Sequence, residues 1–216
     1  MVALRRLARD LVDLLAPPRC PGCDGELVSL EEEFCGACGP LLDAAPRGVL
    51  PPARSASLYV YAGPLADAIR RVKYRRRTDL LGPLARLLVG AVPAYGGRVD
   101  VVVPVPLHRR RLAERGFNQA ALLGRPLARA LGVPLVAGRL VRVRPTPPQA
   151  ELAAAERRDN VRGAFALLRP LPDRVLLVDD VRTTGATLAE AARTLTDAGH
   201  EVFTLTLARA PLGGDD

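Results

Sequence analysis

The sequence predicts an α/β domain with a parallel sheet flanked by helices, carried behind a small four-cysteine module. Three observations lead there. From residue 57 onward, apolar runs of strand length alternate with stretches of helical spacing, the pattern of a parallel sheet with crossover helices. The run Val175 to Val178 has the length and apolar character of a strand buried on both faces, and polar residues follow it, where open α/β sheets bind ligands. All four cysteines fall in the first 44 residues, as two C-x2-C pairs.

The elements follow in chain order. In "MVALRRLARDLVDLLAPP", Leu4, Leu7, Leu11, Leu14 and Leu15 make an amphipathic stripe that Pro17-Pro18 stops. Asp10 and Asp13 interrupt any signal-peptide core, and no small-residue cleavage site follows. This helix and the cysteine module occupy residues 1–44, a Pro/Ala/Arg-rich linker 45–57, and the α/β domain 58–210. "SLYVY" reads as a strand, and 64–73 as a helix with Leu65, Ile69 and Val72 inward. Residues 79–92 read as a second helix and "DVVVPVP" (100–106) as a buried strand. A basic loop leads to a helix that starts near Asn118, with Gly124 and Pro126 predicting a kink or a late start. "VPLVAGRLVRV" (133–143) reads as one strand, "GAFALL" follows a polar segment, and "EVFTLTLA" (201–208) closes the domain.

With 216 residues, 49% of them hydrophobic, the chain is long enough for a sizeable core, while no apolar run approaches the ~20 residues of a membrane span. The expectation is a soluble, cytoplasmic protein. The net charge of +8 makes an anionic partner plausible. Lys73 is the only lysine, so the excess is nearly all arginine and partly reflects composition. The run "RRVKYRRR" (70–77) either complements a helix dipole or contacts a DNA backbone. Aromatic residues are 4% of the chain, a poor supply for stacking single strands, with Tyr74 and Phe117 set closest among arginines. Two histidines and no Ser-His-Asp set argue against metallohydrolase and serine-hydrolase chemistry.

"CPGC" and "CGAC" place Cys20, Cys23, Cys35 and Cys38 as two knuckles with eleven residues between them. Four converging thiolates suit tetrahedral zinc, and the neighbouring glycines suit backbone that turns sharply around a metal. Disulfides or a redox pair are the alternatives, disfavoured without a secretion signal. With all four positions filled, such a zinc is structural.

"VLLVDDVRTTGATL" (175–188) couples two kinds of recognition. Thr183, Thr184 and Thr187 supply hydroxyl donors, Gly185 admits close backbone approach, and the following helix N-terminus favours an anion. Asp179 and Asp180 would repel that anion if placed against it. One step away, they can accept hydrogen bonds from a vicinal diol. A sugar with a phosphate at one end and two free hydroxyls, ribose 5-phosphate, satisfies both halves.

Four apolar residues, two acids and T-T-G-x-T resemble the signature with which type I phosphoribosyltransferases bind phosphoribosyl pyrophosphate (PRPP). With "VPVPLHRRRLAERGFNQA", "RPTPPQAELAAAERRDNVRGAF" and the cysteine module in this order, nearly the whole chain resembles the ComF family of competence-associated proteins. The resemblance implies a type I phosphoribosyltransferase-like sheet and assigns Asp179, Asp180, Arg182, Thr183, Thr184, Gly185, Ala186 and Thr187 to PRPP. Pro104, His108, Arg109, Arg110 and Arg111 would form the pyrophosphate loop. Arg115, Gly116, Asn118 and Gln119 would join the site, although Asn118 is also a simple helix cap. Gln149, Arg157 and Asn160, with Arg144 and Thr146, would belong to a lid or to a solvated loop, and His108 to a loop or a base. Mg²⁺ would arrive with PRPP, needing no protein cage. The implied role is natural transformation, with single-stranded DNA and a DNA-uptake helicase as partners and pyrophosphate displacement as the chemistry. A salvage or biosynthetic phosphoribosyltransferase unrelated to competence, and a non-catalytic PRPP-responsive DNA-binding protein, are the alternatives.

Overall fold

The computed structural model describes residues 19–27, 33–46, 54–145 and 161–211. The N-terminal helix, much of the expected linker, and Thr146, Gln149, Arg157 and Asn160 lie outside the described residues. Four parallel strands form the main sheet in the order β1 (Ser55–Val60), β6 (Glu201–Arg209), β5 (Arg174–Arg182), β2 (Val101–Pro104). Side chains of β5 alternate between two cores. Leu176 and Val178 enter one, Val175 and Leu177 the other, so the strand needs apolar residues on both faces.

One face carries α1 (Gly63–Arg75), α2 (Leu81–Val89), the short α3 (Val92–Tyr95) and, after α4 (Arg109–Arg115), α5 (Gln119–Leu131). Leu65, Ile69 and Val72 of α1 are buried, as their spacing predicts. The other face carries α6 (Ala186–Asp197), which buries Leu188, Ala191 and Leu195. There an antiparallel pair, β3 (Leu140–Arg142) and β4 (Phe165–Leu167), stands apart from the main sheet.

Three elements differ from expectation. The run 133–143 is not one strand: Leu135 bridges Val102 in parallel, the chain turns at Gly138 (φ 84°), and only then does β3 begin. The helix expected over 79–92 opens as a 3₁₀ turn at Thr78–Leu80 and ends at Val89. Finally, α5 starts at Gln119 and runs on through Pro126, so of the kink or late start expected there the late start does not occur. The Asn118 side chain caps it, and buried Leu123, Leu127 and Ala128 hold it on the sheet. A Cβ on Gly124 would lie 3.1 Å from Leu135 and 3.5 Å from Val102, so that glycine lets the helix approach the sheet closely.

The cysteine segment packs on the α1 face, where Cys20, Leu27, Phe34 and Cys38 share a core with α1 and α2. Arg77 grips Asp24 with two hydrogen bonds of 2.9 and 3.1 Å, and Arg71 donates to the Pro21 carbonyl. The chain then runs along β1, Val60 donating to the Asp43 carbonyl and Ala45 to that of Leu58, which covers the sheet edge. Among the described residues no helix is long and apolar enough to cross a membrane.

Candidate functional site

A cleft of about 370 Å³ opens at the carboxyl ends of β1, β2 and β5. Its floor is the acidic pair. β5 continues past Val178, pairing Asp179 with Thr206 and Arg182 with Arg209, so both aspartates belong to the strand itself. Asp180 is 4% exposed, and its Oδ2 lies 2.8 Å from Lys73 Nζ on α1. Asp179 lies beside it in the cleft lining, its Oδ1 accepting from the Asp180 backbone N–H at 2.8 Å. Burial, then the neighbouring Asp180 charge, push the Asp179 carboxyl up to about 7. Burial by itself would lower the Lys73 ammonium, but Asp180 and Asp179 outweigh it and the net direction is upward.

The hydroxyl loop forms one end of the cleft. Thr183, Gly185 and Thr187 line it, and Gly185 has φ 78°, a conformation that a side chain resists. A Cβ there would also stand 2.9 Å from Arg182 Nε. Arg182 donates to Ser55 Oγ at 2.8 Å, tying the loop to β1. Thr184 and Ala186 open mainly into a neighbouring hollow with Glu190 and Arg193.

Arginines form another part of the lining: Arg111 and Arg115 from α4, and Arg142 from β3. Burial lowers the pKa of both Arg115 and Arg142, with the nearby charge of Arg111 acting the same way. Arg115 donates to Gln119 Oε1, which places buried Gln119 in the same part of the lining.

Other residues expected in the site lie around it. His108 caps α4, its Nδ1 accepting from Arg110 N–H at 3.3 Å. Arg109 and Arg110 are exposed and absent from the lining, Arg110 pairing with Glu114. Pro104 is buried at the end of β2 opposite Val178. Gly116 ends α4 with φ 85°, and Asn118 donates to the Val105 carbonyl while capping α5. Arg144 donates to the Arg162 carbonyl. Conversely, Tyr61, Lys73, Tyr74 and Arg142 line the cleft without having been expected there. Lys73 did carry a signal: it lies four residues after inward-facing Ile69, on the same helix face.

Alongside α1, the Sγ atoms of Cys20, Cys23, Cys35 and Cys38 all lie within 4.8 Å of one another, with no disulfide between them. Cys23 and Cys35 sulfurs are 3.7 Å apart, against the roughly 3.8 Å implied by 2.3 Å bonds to a tetrahedral metal. A Cβ on Gly22 would meet Cys38 Sγ at 3.0 Å and Pro64 Cβ at 2.7 Å, so the first knuckle requires glycine. The donor set and its spacing fit a four-coordinate metal.

No family model matches the chain. Among curated proteins, it is 39% identical to the DNA utilization protein YhgH of Salmonella typhimurium, over 82% of this chain and 77% of that protein. It is 35% identical to Competence protein F of Haemophilus influenzae, over 88% of this chain and 90% of that one. Among solved structures, the orotate phosphoribosyltransferase from Aeropyrum pernix is similar at 22% identity and a TM-score of 0.41, covering 65% of this chain and 64% of that one.

Proposed function

Because the chain belongs to the ComF family of competence and DNA-utilization proteins, we propose that its cleft binds PRPP with Mg²⁺ in the service of DNA utilization. One observation carries this reading: the acidic pair, a threonine-glycine loop and three arginines line one cleft. A ligand that suits this lining carries both anionic groups and hydroxyls. PRPP carries both. The 5-phosphate meets the loop, the ribose diol meets Asp179 and Asp180, and the pyrophosphate meets Arg111, Arg115 and Arg142. Magnesium would arrive with the ligand and neutralise pyrophosphate charge, so no protein cage would be needed.

The chemistry that suits this arrangement is displacement of pyrophosphate at the anomeric carbon. The protein contributes positioning and charge stabilisation of a cationic transition state. Zinc in the four-cysteine site supplies folding energy to the module and takes no part in that step. The names of the relatives favour a DNA-linked role over nucleotide salvage. A second reading accommodates the same names: PRPP regulates a DNA-handling protein without turnover. Calorimetric titration with PRPP and Mg²⁺ tests the ligand, and pyrophosphate release across candidate acceptors separates the two readings. Saturable one-site binding is expected, with about one zinc per chain by metal analysis. Absence of PRPP binding by metal-replete protein would end the proposal.

A further inference from the structure

The two carboxylates on the cleft floor are adjacent in sequence but unequal in surroundings. Asp180 is the more deeply buried and makes the 2.8 Å ion pair with Lys73. Asp179 is partly open and has no ion-pair partner among the described residues. Two carboxylates side by side in a poorly solvated floor do not both stay ionised unless a cation offsets their repulsion. Lys73 is that cation, the only lysine in a chain that otherwise uses arginine for positive charge. Its side chain is 19% exposed, and it projects from the inward face of α1, where an uncompensated ammonium would be costly. The exchange is mutual: the two carboxylates hold Lys73 charged, and Lys73 opposes the burial and repulsion that push the Asp179 carboxyl up.

Resting on the PRPP reading above, we propose that Lys73 is a positioning residue for sugar-hydroxyl recognition. Its ammonium keeps Asp180 fixed toward α1 and offsets part of the repulsion on Asp179, so that Asp179 ionises at a lower pH than it would without Lys73 and both carboxylates can accept hydrogen bonds from the diol. A diol needs acceptors. A proton held on the pair would turn one acceptor into a donor and remove a charge-assisted bond. Other charged or titratable groups facing the pair are Tyr61, Tyr74 on α1, Arg111 and Arg115 on α4, Arg142 on β3, and Arg182 on β5 itself. The arginines stay charged between pH 6 and 8.5. Within that window the proton that moves on loss of Lys73 is therefore the one on the Asp179 carboxyl. Proton uptake is favoured at low pH, so the defect deepens as pH falls and fades as it rises.

The test compares wild type, Lys73→Met and Lys73→Arg by PRPP·Mg²⁺ titration from pH 6 to 8.5. Thermal melts of each variant confirm folding. The ligand's own phosphates titrate near pH 6 in every arm, so the quantity read is the affinity ratio to wild type at each pH. Lys73→Met is expected to bind at least tenfold more weakly at pH 6.5 and to recover most of that loss by pH 8.5. Lys73→Arg is expected to remain within about threefold throughout. A ligand-free readout accompanies it: carboxyl ¹³C NMR of Lys73→Met should show a proton retained on the pair to higher pH than in wild type. Affinity unchanged in Lys73→Met, or lost equally at all pH values, would overturn the role. So would identical carboxyl titrations in the two proteins. If wild type itself binds no PRPP, the ligand reading fails and takes the diol role with it. Lys73→Met behaving as wild type in a binding-competent protein fails this inference alone.

Discussion

At Asp179, burial and the adjacent Asp180 raise the carboxyl from 3.8 to about 7, which makes this residue a liability for folding as well as an asset for binding. The folded value lies above the unfolded one, so the fold favours the neutral form. The associated stability is fully present below about pH 4 and is lost as pH rises through 7. Asp179→Asn stays neutral throughout. It should unfold later than wild type at pH 8, by on the order of 2 kcal/mol, a figure reduced for the partial exposure of the residue. The gain should vanish near pH 4, and melts at pH 4, 6 and 8 would reveal its pH dependence. The same variant should bind PRPP about tenfold more weakly, since a charge-assisted bond contributes roughly 1.5–3 kcal/mol. A variant that is neither more stable at pH 8 nor weaker in binding would remove Asp179 from the cleft floor. The acids and the threonines were legible in the sequence because they are contiguous. Tyr61, Lys73 and Arg142 reach the same cleft from the end of β1, from α1 and from β3, and only the folded sheet brings them to Asp179 and Asp180. Arg109 and Arg110 illustrate the converse: they neighbour Arg111 in sequence, but the α4 turn carries them away from the cleft.

Among the elements, α5 departs furthest from what local preference dictates. Pro126 sits in its interior, lacks the N–H that would bond the carbonyl four residues earlier, and presses its ring against that turn. Propensity alone set a kink or late start there, because a proline costs about 3 kcal/mol in a helix interior. Tertiary packing keeps the helix continuous through the proline. Leu123, Leu127 and Ala128 are buried, Asn118 caps the first turn, and Gly124 allows contact with Val102 and Leu135. None of those partners is near in sequence, so the outcome could not be read locally. Pro126 is itself exposed, which makes the cost separable from the packing. Pro126→Ala should therefore stabilise the protein by about 2 kcal/mol, read as a higher urea midpoint at unchanged slope. A destabilised variant would mean that the proline shapes the helix to fit its neighbours. The run 133–143 was misread for a related reason. Its apolar residues do pair, but with two different partners on either side of Gly138.

For the molecule as a whole, α1 joins the two recognition centres: Arg71 and the adjoining Arg77 hold the cysteine module, while Lys73 and Tyr74 face the cleft. The basic run 70–77 is thereby divided among different tasks. Arg77 is committed to Asp24 and Asp79, and Arg76 donates to the Glu114 carbonyl from an exposed position. Arg75 is exposed at the end of the helix. A net charge of +8 still favours a polyanion, and on the proposed reading the chain meets single-stranded DNA. With few aromatic residues, contact should rest on phosphates more than on stacked bases. Binding is then expected to be weak, indifferent to sequence and steeply salt-dependent, with a log–log slope of roughly −0.7 per phosphate neutralised. Replacing Arg75 and Arg76 by alanine, while keeping Arg77 to hold the module, should flatten that slope by about 1.4 if each meets one phosphate. PRPP affinity should be retained, because neither side chain lines the cleft. A fluorescence-anisotropy salt series on wild type and the double variant, repeated with saturating PRPP, measures both effects. Equal slopes would leave this end of α1 as a solvated terminus. DNA displaced by PRPP would instead move the strand into the cleft, where Tyr74 and the cleft arginines would meet it. Absence of binding even at low salt would leave the cleft as the sole recognition surface and favour an enzyme acting on a small acceptor.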